Sequence, residues 1–290
     1  MTLGCRIYLL FEKLRIQKAL RRVPAAKRPL KRLLRRLLPN RPIWVRVRSG
    51  LGEGLWMRLN LRKEVGLWLG QHEPTLQACL IAMIQPGVVL YDVGAHVGSL
   101  ALGLARAIGP SGRIVAFEAD PDNAGTLMEN RDRNGLQRTL DIVPSAVWSN
   151  SSKVIWFRQG GEKRSHGGVE AAGLRPVLGS GELIGVPAIS LDDFIASGGP
   201  IPRLVKIDVE GGEYEVLRGG EQLFSTQQPL IVAEVHHKCA EKQIRAWLKK
   251  IGYSSRWIAP PEQYPCCVFA WAEGASEGTD WVCKLPSSGS

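Results

Sequence analysis

The stretch from Val88 to Asp120, VVLYDVGAHVGSLALGLARAIGPSGRIVAFEAD, constrains the fold more than any other part of the chain. Val88 to Val93 is a short apolar run rich in β-branched residues, set between Pro86-Gly87 and Gly94. That is the pattern of a parallel strand buried on both faces. Val97 to Ile108 carries apolar residues at helical spacing and stops at Gly109-Pro110. Arg113 to Glu118 is a second strand with an acid at its tip. The spacing predicts a β-turn-α-β unit, with glycines in the first turn and Glu118 closing the second strand.

Such a unit suits an adenosine-containing cofactor. The turn must be tight and must let a ligand approach the backbone, which favours Gly94, Ala95 and Gly98. Glu118 follows Gly98 by about twenty residues, the offset at which a carboxylate reaches ribose hydroxyls. A dinucleotide turn of the form G-x-G-x-x-G, counted from Gly94, needs glycines where this chain has His96 and Ser99. Asp92, just ahead of the turn, would repel a pyrophosphate. It suits a ligand with a cationic amino group, such as the methionine part of S-adenosylmethionine. The stretch therefore favours a methyl donor over a nicotinamide dinucleotide.

The second informative stretch is Leu204 to Glu210, LVKIDVE, followed by Gly211-Gly212-Glu213. It reads as a buried strand with charges at its carboxyl end, where ligands sit in open α/β sheets. On a continuing strand Lys206, Asp208 and Glu210 share a face. Their carboxylates can orient a substrate hydroxyl, act as general base, or hold a divalent metal. Glu213 is read as an acid at the N-terminus of the next helix. Leu230 to Val235 is the following strand, with Glu234 near its end and His236-His237 at its tip. The candidate catalytic residues are Asp208, Glu210 and His236. No metal ligand is assigned, because the chain has no C-x-x-C pair and no Cys/His cluster with zinc spacing.

The net charge of +11 is concentrated at one end. Residues 1–39 hold twelve Lys or Arg and one acid, while residues 40–290 hold 26 of each sign. The high charge is thus no argument for a nucleic-acid surface on the body. Residues 1–39 read as a basic amphipathic extension, helical over 6–22 and 30–38. It is either solvated or packed on the body, or laid on an anionic membrane, or a targeting segment. Residues 40–84 form a hairpin from Ile43 to Leu61 and a helix from Thr75 to Ile84 opened by Pro74, as a cap or lid. Residues 85–286 form the main domain, and 287–290 a disordered tail. Within the main domain, Pro121 to Asn134 is helical and Leu140 to Val147 is a third strand. Residues 159–185, rich in glycine, read as a long loop. Leu191 to Phe194 opens a helix capped by Ser190. Glu241 to Ile251 is an amphipathic helix, and Tyr253 to Ile258 with Cys267 to Ala272 closes the sheet. The cysteines read as free thiols. No apolar run approaches the ~18 residues of a membrane span, and no secretory signal is apparent. The expected location is cytoplasmic, with peripheral contact to the inner membrane face as one reading of the extension.

The order and spacing of DVGAHVG (Asp92 to Gly98), FEADP (Phe117 to Pro121), LDDF (Leu191 to Phe194) and KIDVEGGE (Lys206 to Glu213) resemble the FkbM-type S-adenosylmethionine-dependent methyltransferases. VLRGG (Val216 to Gly220) and VAEV (Val232 to Val235) fit the same pattern, and the resemblance covers about residues 85–255. It implies an α/β, Rossmann-like class I methyltransferase fold, with a mostly parallel seven-stranded sheet and helices on both faces. The hairpin and basic extension would be additions. It implies S-adenosylmethionine as cofactor and O-methylation of a hydroxyl on a small molecule, sugar or glycan. Carried over by position, Asp92, Gly94, Ala95 and Gly98 would line the methionine end. Glu118 would hold the ribose, Ala119 would be a further cofactor-binding residue, and Ala146 would lie near the adenine. Asp208 and Glu210 would face the reaction. Ala119 stands where the family commonly has proline. The rival readings are a nucleic-acid methyltransferase and a membrane-associated binding protein with a degenerate methyltransferase fold.

Overall fold

The computed structural model describes residues 3, 5, 6, 33, 35–151, 154–158, 168–170, 183–258 and 265–274. The helices expected over 6–22 and 30–38 lie almost wholly outside the described residues, and the tail from Ser287 lies entirely outside them. The chain forms two units, Met1–Pro74 and Thr75–Ser290.

In the first unit β1 (Ile43–Arg46) and β2 (Trp56–Leu59) pair antiparallel, with Trp44 opposite Arg58, as the alternation predicts. A helix not foreseen from the sequence follows, α1 (Leu61–Leu69). The alternation was extended to Leu61, but Asn60 ends the strand. Its side chain accepts from the Arg62 N–H at 3.2 Å, and Gly70 closes the helix in the left-handed region. The inward face is Leu61, Val65 and Trp68.

α2 (Pro74–Met83) begins at the last residue of the first unit and leads into the second, which then alternates strand and helix. The order is β3 (Val89–Val93), α3 (Ser99–Ile108), β4 (Arg113–Phe117), α4 (Pro121–Arg133) and β5 (Leu140–Val143). After an excursion described below come α5 (Leu191–Ala196), β10 (Leu204–Ile207), α6 (Glu213–Arg218), α7 (Glu221–Thr226), β11 (Leu230–Val235), α8 (Lys238–Lys250), β12 (Tyr253–Ile258) and β13 (Cys266–Ala272). The seven strands lie in the order β12-β13-β11-β10-β3-β4-β5. From β11 to β5 they are parallel, and β13 runs antiparallel between β11 and β12. The chain winds outward both ways from β3 and β10, so the crevice beyond their carboxyl ends is the topological switch point.

Burial on both faces explains why these strands are near-continuous apolar runs. Tyr91, Val115, Val205 and Ile231 pack on one side with Val216, Phe224, Ile244 and Trp247 of α6, α7 and α8. Leu90, Ile114, Leu204 and Val232, of opposite parity, are buried on the other. Gly219 and Gly220 have steric reasons. A Cβ on Gly219 would lie 2.1 Å from the Trp148 carbonyl oxygen, and one on Gly220 would lie 2.7 Å from the Phe224 ring.

Two expectations are corrected. The third strand does not run to Val147. Pro144 has no N–H for the ladder, so β5 ends at Val143 and the chain leaves the sheet. Ala146–Val147 (β6) instead pairs with a second sheet of order β6-β9-β7-β8, built from β7 (Val154–Arg158), β8 (Gly168–Glu170) and β9 (Leu183–Ile189). The stretch read as a loop over 159–185 therefore contains β8 and the start of β9. Its remaining parts, 159–167 and 171–182, lie outside the described residues.

Phe224 is fully buried and meets Trp247 edge-on at 5.5 Å between ring centroids. Phe224→Ala should lower unfolding free energy by about 3–5 kcal/mol. Urea denaturation followed by fluorescence will read this, and a change under about 1 kcal/mol would place the ring outside the core.

Candidate active site

The first wall of the site is the turn after β3. The Gly94 and Ala95 N–H groups both donate to the Phe117 carbonyl, at 2.9 and 3.0 Å, which ties this turn to the end of β4. Gly94 has φ of 83°, and a Cβ there would sit 1.8 Å from the Asp208 carbonyl oxygen. No other residue type fits where β3 and β10 exit side by side. His96 follows at φ of 52°, a costly conformation for a side-chain-bearing residue. It aims the His96 N–H at Glu118 Oε2, 2.7 Å away.

Glu118 is thus held by two backbone donors, since its Oε1 accepts from the Asp120 N–H at 2.9 Å. Burial pushes its carboxyl up to about 7, and the N–H groups of Asp120 and His96 pull against that. Asp120 in turn caps α4 through the Asp122 N–H.

The second wall centres on Lys206, which is only 5% exposed. Its Nζ lies 2.9 Å from Asp92 Oδ1, donates to the Gly94 carbonyl at 3.1 Å, and lies 3.7 Å from Asp208 Oδ2. The register pairs Lys206 with Asp92 across β3 and β10, so the two charges meet by strand pairing alone.

The third group is around His236. Glu213, fully buried, takes the ring Nδ1 at 2.6 Å and the Gly211 N–H at 2.9 Å through the same oxygen. Burial pushes the imidazole down. The Glu213 hydrogen bond and charge, with the charges of Asp208 and Glu210, outweigh it and bring the imidazole to about 9.

An open cleft lies beyond the ends of β3, β4 and β10; Lys206, Glu213 and His236 are not among its lining residues and reach it only through their neighbours Gly94, Asp208 and Gly212. Of the residues expected from the sequence, Gly94, Glu118, Ala119, Ala146, Asp208 and Glu210 line it. Asp92 is not among its lining residues: the side chain is fully buried, 2.9 Å from Lys206 Nζ. Ala95 is buried in the turn, and Gly98 serves packing, since a Cβ there would lie 2.1 Å from Leu127 Cδ1 of α4. Asp208 and Glu210 do not share a strand face. Strand pairing stops at Ile207, and Glu210 and Gly211 turn the chain at φ of 52° and 108°. The metal-ligating grouping also differs from the one considered from the sequence. Asp208, Glu234 and His236, rather than Asp208, Glu210 and Glu213, bring ligand atoms within 4.8 Å of one another.

His96, Asn123 and Trp148 line the cleft without having been singled out. Lys206 and Glu234 were noticed and given no role. Both carried a legible signal, a charged residue inside an apolar strand, which persists only when something pairs it. Glu213 does more than cap a helix, since it orients His236.

The strand order and the position of the cleft define a Rossmann-like fold of the class I methyltransferase type. The chain belongs to the FkbM methyltransferase family, with residues 92–255 matching the methyltransferase FkbM domain. It is similar to hexuronic acid methyltransferase AglP of Haloferax volcanii, 30% identical over 169 residues, covering 58% of this chain and 64% of that protein. It is 28% identical over 175 residues to 31-O-demethyl-FK506 methyltransferase FkbM of Streptomyces tacrolimicus, covering 53% and 67%. A catechol O-methyltransferase of Sus scrofa matches over 84 residues at 31%, covering 29% and 45%. The match to AglP and to the catechol enzyme thus spans less than two thirds of either. Among solved structures, methyltransferase FkbM from Methylobacillus flagellatus overlaps 72% of this chain and 53% of its own, at 16% identity and a TM-score of 0.45. Among the described residues no helix is long and apolar enough to cross a membrane.

Burial of the Glu118 carboxyl makes the protein's stability depend on pH. The native carboxyl holds its proton to about pH 7, whereas the unfolded one releases it near 4.3. Its contribution to stability therefore falls as pH rises from about 4.5 to 7. The stability of Glu118→Gln relative to wild type should increase by about 3 kcal/mol between pH 5 and pH 8. Urea titrations of both proteins across that range will read the gap, and a pH-independent gap would refute the assignment.

Proposed function

We propose that the protein is an S-adenosylmethionine-dependent methyltransferase that methylates a hydroxyl of a small molecule or sugar. The observation that carries this reading is the acidic lining of the cleft. Among the described residues the acids Glu118, Asp208 and Glu210 line it, and no lysine or arginine does. Such a lining suits a cationic sulfonium ligand and opposes the diphosphate of a dinucleotide. The site fits the cofactor on further grounds. The Gly94 backbone lines the cleft, and Glu118 is an oriented acceptor for ribose hydroxyls.

When bound, the cofactor supplies an electrophilic methyl group. Glu118 would hold its ribose, with Ala119, Ala146 and Trp148 beside the adenine. The Gly94 turn would take the methionine end, Asp92 acting behind it through Lys206. The protein's main task is then to align the acceptor oxygen with the methyl. Asp208 receives or orients the acceptor's hydroxyl proton, with Glu210 flanking it. His236, its ring held at Nδ1 by Glu213 and its Nε2 3.7 Å from Asp208, stands beside the base. The named activities of the curated relatives, on a hexuronic acid and on demethyl-FK506, favour a hydroxylated sugar or polyketide acceptor. The basic extension, residues 1–39, fits a peripheral contact with anionic lipid in the cytoplasm. Vesicle co-sedimentation with and without it tests this.

Calorimetric titration with S-adenosylmethionine, S-adenosylhomocysteine and NAD is the direct test. The first two should bind and NAD should not; NAD binding alone would overturn the reading. Glu118→Ala should weaken S-adenosylhomocysteine binding at least about tenfold. With a labelled methyl donor and a panel of hydroxylated acceptors, Asp208→Asn should keep S-adenosylhomocysteine affinity and lose about 10²–10⁴ in turnover. Full turnover in that variant would remove Asp208 from proton handling.

A further inference from the structure

At the carboxyl ends of β10 and β11 the register pairs Lys206 with Val232 and Ile207 with Ala233. Asp208 therefore comes level with Glu234, and His236 follows two residues on, on the same side of the chain. His236 Nε2 lies 3.7 Å from Asp208 Oδ1 and 3.8 Å from Glu234 Oε1. Both distances are too long for hydrogen bonds. They are the separations expected of ligands around one ion. Two bonds of about 2.1 Å put their donor atoms about 3.4 Å apart at the tetrahedral angle and about 4.2 Å apart when opposed.

A second, independent observation points the same way. Glu213, fully buried, engages the far nitrogen Nδ1, which fixes the ring with Nε2 directed at the two carboxylates. This is the carboxylate–histidine arrangement that orients metal-ligating imidazoles. The other oxygen of Glu213 is buried without a hydrogen-bond partner, so its charge is only partly met by the ring. Asp208, Glu234 and His236 keep 15–25% side-chain exposure, so an ion there would have open positions facing solvent.

We propose that Asp208, Glu234 and His236 bind one divalent transition-metal cation. A set of two carboxylates and one imidazole favours manganese, iron, cobalt or zinc over magnesium or calcium, which prefer oxygen alone. Asp208 also lines the cleft, so the ion's open positions adjoin it. An acceptor hydroxyl bound there would lose its proton more readily, because the ion stabilises the alkoxide. That catalytic role rests on the methyl-transfer reading above; the existence of the site does not.

The test uses the full chain, stripped with chelator and titrated with Mn2+ while free ion is followed by electron paramagnetic resonance. Wild type should bind one equivalent. Glu234→Gln and His236→Ala should each weaken binding at least tenfold, and Glu213→Gln should weaken it roughly tenfold or more through the ring. All three variants should keep wild-type S-adenosylhomocysteine affinity, which controls for folding. Absence of saturable Mn2+ binding by wild type would overturn the proposal, as would equal binding by wild type and Glu234→Gln. S-adenosylhomocysteine binding without Mn2+ binding would remove the metal and leave the methyl-transfer reading standing. Mn2+ binding without S-adenosylhomocysteine binding would do the reverse.

Discussion

The ion pair between Lys206 and Asp92 is the interaction on which the rest of the site depends. It crosses the switch point, where β3 and β10 lie side by side and the chain departs in opposite directions. Burying two charges here gains little net stability, because desolvation offsets attraction. What the pair contributes is geometry. With its Nζ shared between Asp92, the Gly94 carbonyl and the neighbourhood of Asp208, Lys206 ties the turn after β3 to the exit of β10. Loss of either partner would strand a buried charge, at about 3–5 kcal/mol. An apolar replacement of both would leave the sheet intact and the turn unsupported.

That arrangement divides the acids at the sheet's carboxyl edge into two sets with different environments. Glu118 is enclosed at the tip of β4, clasped by backbone N–H groups, and pushed towards neutrality by burial. Asp208 is partly open to solvent and faces a lysine on one oxygen and a histidine on the other. A group held rigid by its own backbone suits recognition of fixed hydroxyls. A group balanced between charges suits proton or metal chemistry. The same sheet edge therefore supports a binding half and a reacting half, separated by the width of one strand pair.

Much of this was legible in the chain. β3, α3, β4 and α4 are bounded by Gly94, Gly109-Pro110, Pro121 and Gly135, whose backbone constraints act locally. So is the capping of α5 by Ser190, whose Oγ accepts from the Asp193 N–H at 3.0 Å. The failures have tertiary causes. Whether β10 continues past Ile207 depends on a left-handed Glu210, which no propensity anticipates. The second sheet recruits residues from 146 to 189; Lys153 to Arg158 and Val186 to Ser190 read as extended chain, but which strands they pair with is a property of topology. The partnership of Glu234 with His236 and Asp208 joins two strands whose neighbour relation is a property of topology. Asp92 was read as a ligand contact because its position in the turn is local, while its burial against Lys206 is not.

The two non-glycine residues held in the left-handed region at the cleft, His96 and Glu210, connect strain to function. Each sits on one of the two turns that leave the switch point. Each position costs on the order of 1–3 kcal/mol unless its surroundings impose it. At His96 the conformation delivers an N–H to Glu118, so removing the strain would withdraw one of the two clamps on that carboxylate. At Glu210 it turns the chain three residues after β10 ends at Ile207, with Asp208 at the rim beside His236. The turn that follows places Gly211, whose N–H anchors Glu213. The strain is thus concentrated where the chain must stop being a sheet and start presenting side chains.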